Sequence, residues 1–431
     1  MTVNRLYAGA GGAPVHFPDD LFPTDGFCGI HDDPKARVLL LKSNMQTAIV
    51  ALELVMLPPD GIDAVKNAVR EITQTDIQNI WVHTTHAITT PHAPHAPMGM
   101  GGVPLEIPDS ERIALDKKRS VYMAALLDAA VKAAEAAVKA FRPARMGIGT
   151  GTSRINTNRD IETPHGWWIG FNPDGPSNHT ATVLRFDGED GSLIGSLISF
   201  GIKPCAIDNS EMDKETRLIS SDVPGTACKL LEEQFGAPCL FTMSAAGDQV
   251  PLEQAWYDAV EPDGSVRKVD LGVRAGLEMA ERLGKQMASD IAPILTGISC
   301  VQDAPKIDVS SSRIVLTEKA RAPMKLTRQA EYRECGETGV DVLTMTIGGT
   351  ALVGLKPEIN AVTEAQLQAA SPYKTTLVIS MVNGGQKYMP DLSAYENSTW
   401  EAQSALFMPG AAEKWVQEAC ALLERMCHNG S

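Results

Sequence analysis

The segment "ARVLLLKSNMQTAIVALELVML" at residues 36–57 constrains the fold more than any other. Two apolar, β-rich runs flank a polar Lys-Ser-Asn-Met turn, which is the pattern of a hairpin or of two sequential strands in one sheet. A helix is expected next in "DGIDAVKNAVREITQTD", and then a strand in "NIWVHTTH". The alternation continues. A long alanine-rich helix runs from Asp109 or Ser110, either of which serves as its cap, to about residue 141. A hairpin is expected around Gly188–Gly191, with helices near 223–235, 270–294 and 410–427 and strands near 238–243, 312–317, 342–354 and 375–382. Such alternation predicts an α/β fold, a layered mixed sheet with flanking helices. No repeat, heptad array or evident linker interrupts it, so residues 1–431 are expected to form a single domain.

Composition bounds the function. With 431 residues and a 44% hydrophobic fraction, the chain can bury a sizeable core. Asp and Glu outnumber Lys and Arg 53 to 38, for a formal net charge of -15, which leaves no basic face for a nucleic acid or an anionic membrane. No apolar run approaches the ~20 residues that span a bilayer, and the N-terminus has no basic region followed by an apolar one. A cytoplasmic enzyme with a small-molecule substrate is therefore expected, and association into a homo-oligomer stays open. The eight cysteines show no CxxC spacing and are expected to be reduced thiols.

Chemistry-bearing residues concentrate at strand ends. In "IWVHTTHAITTPHAPHAP" (80–97) four of the nine histidines, His83, His86, His92 and His95, fall together. A metal site, the edge of an active site and a proline-stiffened loop all fit that spacing, since neither HExxH nor HxH occurs. A loop without helical or strand period is expected over about 88–108, long enough to suggest function. "GIGTGTSRINTNRD" (147–160) reads as a plain loop or as an anion cradle of backbone N–H groups, and it departs from the dinucleotide fingerprint. "GFNPDGP" (170–176) is a turn. Asp222 in "SSDVPG" reads as a helix cap, and Asp248 in "SAAGDQVP" as a turn residue presented to a cleft. Lys203 follows the apolar run "LISFGI", where burial normally excludes an unpaired ammonium; a surface position at the strand end is the plainer alternative.

Read in order, these segments resemble the N-terminal catalytic domain of the neutral/alkaline non-lysosomal ceramidases and their short prokaryotic relatives. The resemblance rests on "GIHDDPKARVLLL", "NIWVHTTHAITTP", "INTNRDIETPHGWWIGFNPDGP", "LISFGIKPCAI", "SSDVPGTACKLLE", "LFTMSAAGDQVP", "ALVGLKPEI" and "SMVNGGQKYMPDLSAYE", which span nearly the whole chain. It implies a ceramidase-like α/β domain that hydrolyses an amide bond with a zinc ion, without those enzymes' accessory C-terminal domain. By position, His86 and Glu358 match two of the four zinc ligands. Lys203 stands at the second histidine and Gly385 at the tyrosine, with Tyr388 matching another family tyrosine. Val250 stands where ceramidases carry a serine. Arg159, Asp222 and Asp248 keep family residues, and Lys387 replaces a glycine.

The expected function is a hydrolase acting on an amide or lactam of a small polar, anionic substrate, with a remodelled zinc site. Lys203, Asp222, Asp248 and Arg159 are its expected catalytic residues; Asn383, Lys387, Tyr388 and His83 bind substrate; His86 and Glu358 hold metal, helped by His83, His92 or His95. The alternatives are metal-free lysine chemistry by an isomerase, lyase or cyclase, and a binding subunit without catalysis.

Overall fold

The computed structural model describes residues 5–96, 105–212 and 216–429. Its centre is an eight-stranded mixed sheet. In spatial order the strands are Cys239–Met243, Leu193–Phe200, Thr180–Gly188, Arg142–Thr152, Tyr7–Pro14, Lys35–Lys42, Gln46–Leu52 and Ile80–Thr84. The strands 35–42 and 46–52 form the expected antiparallel hairpin, and 180–188 pairs with 193–200 around the expected turn.

The apolar runs are continuous because both faces of this sheet are covered. Ala36, Val38 and Leu40 point to the helices Pro59–Thr73 and Asp109–Ala140, while Leu39 and Leu41 point the other way. The helices Asp222–Phe235 and Val273–Gly297 cover the remaining half of the first face, against Ile198 and Phe200. On the second face lies a four-stranded sheet, Ile307–Lys319, Glu334–Ile347, Thr350–Gly354 and Thr375–Ile379. Trp81, Leu352 and Ile379 fill the space between the sheets. The helix Ala411–Asn429 closes the outer side through Trp415 and Leu423. The result is four layers: helices, sheet, sheet, helices.

Close approach explains one repeated small-residue pattern. A Cβ on Gly9 or Gly11 would lie 2.1 Å from the carbonyl oxygens of Ala137 and Ala133. The strand therefore needs glycine where the alanine stripe of the 109–140 helix crosses it.

Several expectations are corrected. The long helix has Pro108 at its N-cap position without a side-chain cap. Asp109 and Ser110 lie inside the first turn, where an acid complements the dipole but cannot close the end. Residues 147–160 are not one loop; 147–152 and 156–160 belong to the strands Arg142–Thr152 and Asn156–Thr163, and 153–155 connect them. Gly147, Gly149 and Gly151 share one strand face because a Cβ there would meet Ile298 or Ile294 within 2.5–2.6 Å. The 342–354 segment is two strands, turned at Gly348 with φ +57°. Part of the expected 88–108 loop, residues 97–104, lies outside the described residues. No described helix is long and apolar enough to cross a membrane.

Candidate active site

Parallel pairs place the chemistry. Strands 46–52 and 80–84, 193–200 and 239–243, and 350–354 and 375–379 run parallel. His86, Lys203, Asp248, Glu358 and the segment 381–388 all follow the C-terminal ends of these strands, the usual place for a ligand site in α/β sheets. His86, Asp222, Met381, Asn383 and Lys387 adopt left-handed backbone conformations, with φ between 55° and 60°. For side chains with a Cβ this costs on the order of 1–2 kcal/mol each and persists only where the surroundings enforce it.

Glu358 and Tyr388 are tied together by their backbones. Glu358 N donates to Lys387 O at 2.8 Å, and Met389 N donates to Glu358 O at 2.7 Å. Their side chains then meet two others. His86 Nδ1 lies 2.8 Å from Glu358 Oε1, and Lys203 Nζ lies 3.0 Å from Glu358 Oε2. Lys203 Nζ also donates to the Tyr388 hydroxyl at 2.9 Å. His86 Nδ1 and Glu358 Oε2 make their contacts out of line for a hydrogen bond.

The charges follow from this packing. Burial alone would raise the Glu358 carboxyl, but His86 and Lys203 outweigh it and hold the group down to about 2. Burial and the Arg159 charge press against the Lys203 ammonium, yet Glu358 and Tyr388 raise it above the ordinary lysine value. Desolvation lowers His86, with Glu358 opposing, so the imidazole is neutral at neutral pH.

Behind this group stands a second one. Arg159 Nε donates to Glu401 Oε1 at 2.7 Å. Its guanidinium lies 5.5 Å from the Tyr388 ring centroid and 5.3 Å from that of Trp400. Glu401 is fully buried beside Asp160, whose carboxyl is pushed well up by burial and then by the Glu401 charge. Asp160 Oδ1 and Glu401 Oε2 have no donor of their own, so the two carboxyls are best satisfied by sharing a proton.

A cleft of about 400 Å³ opens onto the first group. Among the described residues its lining includes His86, Glu358, Tyr388, Trp400, Lys387 and Arg217. Lys387 is exposed, and its ammonium is lowered by partial desolvation and then by the nearby Arg321 charge. Lys203 is completely buried behind Glu358 and Tyr388 and does not line the cleft.

Other expected site residues are placed elsewhere. His83 is fully buried, with Nδ1 on Ser380 O at 2.7 Å and Nε2 accepting from Met243 N at 3.1 Å. It rivets the two sheets together and has no ring atom left for substrate or metal. Asp222 accepts from Ala206 N, Ile207 N and Val223 N. It thereby holds the loop after Lys203 instead of water. Asp248 is committed to Ala361 N and Asn158 Nδ2, both at 3.0 Å. Asn383 Oδ1 accepts from Val82 N, and neither Asn383 nor Arg159 lines the cleft. His92 pairs with Asp25 at 2.8 Å at the cleft wall, and His95 is exposed with Nδ1 on Ala96 O. Val250 is 2% exposed inside the short strand Gln249–Pro251. Tyr388, and not the Gly385 position, delivers a phenol to Lys203.

Zinc is a poor fit to this donor set. Among the described residues no three His, Cys, Asp or Glu side chains are grouped to hold a metal ion. Histidine, glutamate and tyrosine do converge, but the fourth member is an ammonium already engaging two of them. Metal ligands must be unprotonated and approach to about 2.0–2.2 Å.

The layered sheets define the class by fold: it is the ceramidase-like α/β architecture. A ceramidase structure described as complexed with C2 matches 98% of this chain and 76% of its own, with a TM-score of 0.71 and 15% identity. The neutral ceramidase of Pseudomonas aeruginosa matches 98% of this chain and 75% of its own, with a TM-score of 0.72 and 16% identity. No family model and no curated protein matches the sequence. At such identities the likeness is one of fold.

Sequence reasoning passed over Arg217, Trp400, Glu401 and Asp160. Glu401 reads locally as a solvated acid in the first turn after the Thr399 cap, and nothing nearby reveals that it is fully buried. Arg217 sits in a charged, irregular stretch where any basic residue looks like surface.

Proposed function

We propose that this chain hydrolyses an amide or lactam bond in a small, polar, anionic substrate, without a bound metal. The observation carrying the reading is His86, Glu358 and Tyr388 at the floor of a cleft, with Lys203 buried behind them and Lys387 and Arg217 on the wall. Neutral His86, whose Nδ1 faces an ionised Glu358 at 2.8 Å, takes a proton from water with Nε2, as a general base must. Tyr388 accepts from Lys203, which leaves its own O–H to donate to the carbonyl oxygen as negative charge develops there. His86 then returns the proton to the departing nitrogen. Lys387 and Arg217 draw in the substrate's anionic group.

Lys203 is a positioning residue in this scheme. Its burial behind Glu358 and Tyr388 speaks against an isomerase, lyase or cyclase that uses it as a covalent nucleophile. The bond-breaking class draws on the fold shared with ceramidases, and the anionic preference on the two wall cations.

The test is a turnover screen of N-acyl amino acids, dicarboxylic acid monoamides and lactam carboxylates, each beside its uncharged ester, with release of the amine followed by chromatography. Hydrolysis of an anionic member in preference to its ester is expected. Binding of such compounds, detected by thermal shift, with no turnover of any would overturn the hydrolase reading in favour of a binding protein.

A further inference from the structure

The disagreement between the floor of the cleft and zinc has its own content. A buried ammonium and a buried divalent ion ask for the same surroundings: a carboxylate, a further oxygen or nitrogen donor, and little water. Lys203 has them. It is fully buried, 3.0 Å from Glu358 Oε2 and 2.9 Å from the Tyr388 oxygen, with Nζ 4.7 Å from the Tyr388 ring centroid. Glu358 Oε2 is a buried oxygen without an aligned hydrogen-bond partner, and His86 Nδ1 lies 2.8 Å from the other oxygen of the same carboxylate. Glu358 and Tyr388 thus hold one positive charge between them, and His86 joins the set through the same carboxylate.

We propose that the Lys203 ammonium is a built-in cation: it holds the charge position that a divalent ion would otherwise take among His86, Glu358 and Tyr388, and it excludes the ion by charge and by occupying two of the three donors. The reason is electrostatic. Two cations cannot share one buried carboxylate without strong repulsion in a low-dielectric site. A lysine also brings its charge covalently attached, so the site is complete whatever the metal supply.

It follows that removing the ammonium should uncover a metal site. Lys203→His supplies a third imidazole or carboxylate donor in place of the charge, giving two histidines, a glutamate and a tyrosine. The proposal does not rest on the hydrolase reading, because its test reads metal and not turnover.

The experiment is a calorimetric titration of the intact chain with Zn²⁺ in competition with a weak chelator, on wild type, Lys203→His and Lys203→His/Glu358→Gln. Metal content after purification without chelators is measured alongside. The expected result is no stoichiometric site in wild type, one Zn²⁺ per chain in Lys203→His at least ~100-fold tighter, and its loss in the double variant. One equivalent bound by wild type as tightly as by Lys203→His would overturn the proposal. So would binding by neither, or binding that survives Glu358→Gln and therefore lies elsewhere. Should circular dichroism show Lys203→His unfolded, Lys203→Gln carries the test under the same criteria, with a smaller expected gain.

Discussion

Two buried ion clusters in this protein use nearly the same residue types and differ in how well they are satisfied. The first joins Arg37, Lys35, Glu53 and Glu232 under the wall of a cavity of about 870 Å³, larger than the cleft above His86. There, Glu232 accepts from Arg37 Nε at 2.6 Å and Lys35 Nζ at 2.8 Å. Glu53 accepts from Lys35 N at 2.7 Å and Ser221 Oγ at 2.8 Å, besides its Arg37 pair. Only Arg37 Nη2 is left over among these side chains. In the second cluster His86 Nδ1, Glu358 Oε2, Asp160 Oδ1 and Glu401 Oε2 all lack an aligned partner, and His86 and Lys387 beside them are in left-handed conformations. A satisfied cluster fixes the strand 35–42 to the helix 222–235. An unsatisfied one keeps bonding capacity in reserve, which is what a site must do.

Removing a cation should break both clusters in stability and only one in function. Arg37→Met and Lys203→Met each strand a buried carboxylate, and each should cost about 3–5 kcal/mol in denaturant unfolding. Only Lys203→Met should also silence turnover of the substrate found in the screen; retained activity would remove Lys203 from the site. Smaller and more selective are Tyr388→Phe and His86→Gln, each expected to lower kcat by about 10²–10³ with little change in the unfolding midpoint. Their counterpart Glu232→Gln should leave kcat alone and weaken the fold by roughly 1–3 kcal/mol, measured in the same way.

The pH dependence of stability separates the scaffold acids from Glu358. Burial pushes Asp248 and Glu364 up to about 7, well above ordinary values of 3.8 and 4.5. Between those limits the folded state holds protons that the unfolded chain has released, so unfolding becomes easier as pH rises through the window. Glu358, held down to about 2, acts oppositely: its stabilisation is full above 4.5 and is lost as pH falls toward 2. Buried His83 and His86, held below the ordinary imidazole value, oppose this trend below about pH 6.5, so calorimetry should show Tm higher near pH 6.5 than near pH 8. Asp248→Asn should flatten that difference, and an unchanged slope would mean its carboxyl is ionised in the fold. The smallest effect is expected at the cleft wall. Lys387→Ala should raise KM about tenfold for an anionic substrate and leave its neutral ester unaffected, in steady-state kinetics.

Much of the fold was legible because it depends on local periodicity. The apolar runs around Ser43–Met45, the alanine stripe of 109–140 and the hairpin at 188–191 each declare their element within a dozen residues. Glycine misled where it served close packing, as at Gly147, Gly149 and Gly151, because a residue chosen for lack of a Cβ looks the same as one chosen for a turn. His86 and Lys203 were visible as unusual residues at strand ends, and Glu358 and Tyr388 only through the resemblance, yet their spacing said nothing of which would meet.

What the sequence determined by itself was most of the long helices, several strands of the central sheet, and the layered α/β class. Only the tertiary structure decided that Lys203 is paired with Glu358 and Tyr388, that His83 is a rivet while His86 faces the cleft, that Asp222 accepts from three backbone N–H groups, and that Asp248 accepts from Ala361 N and Asn158 Nδ2. The physical reason is range. Helices and strands are set by neighbours a few residues apart, whereas the charge and exposure of a side chain depend on groups such as Lys203 and Glu358 that are distant in the chain and about 3.0 Å apart in the fold.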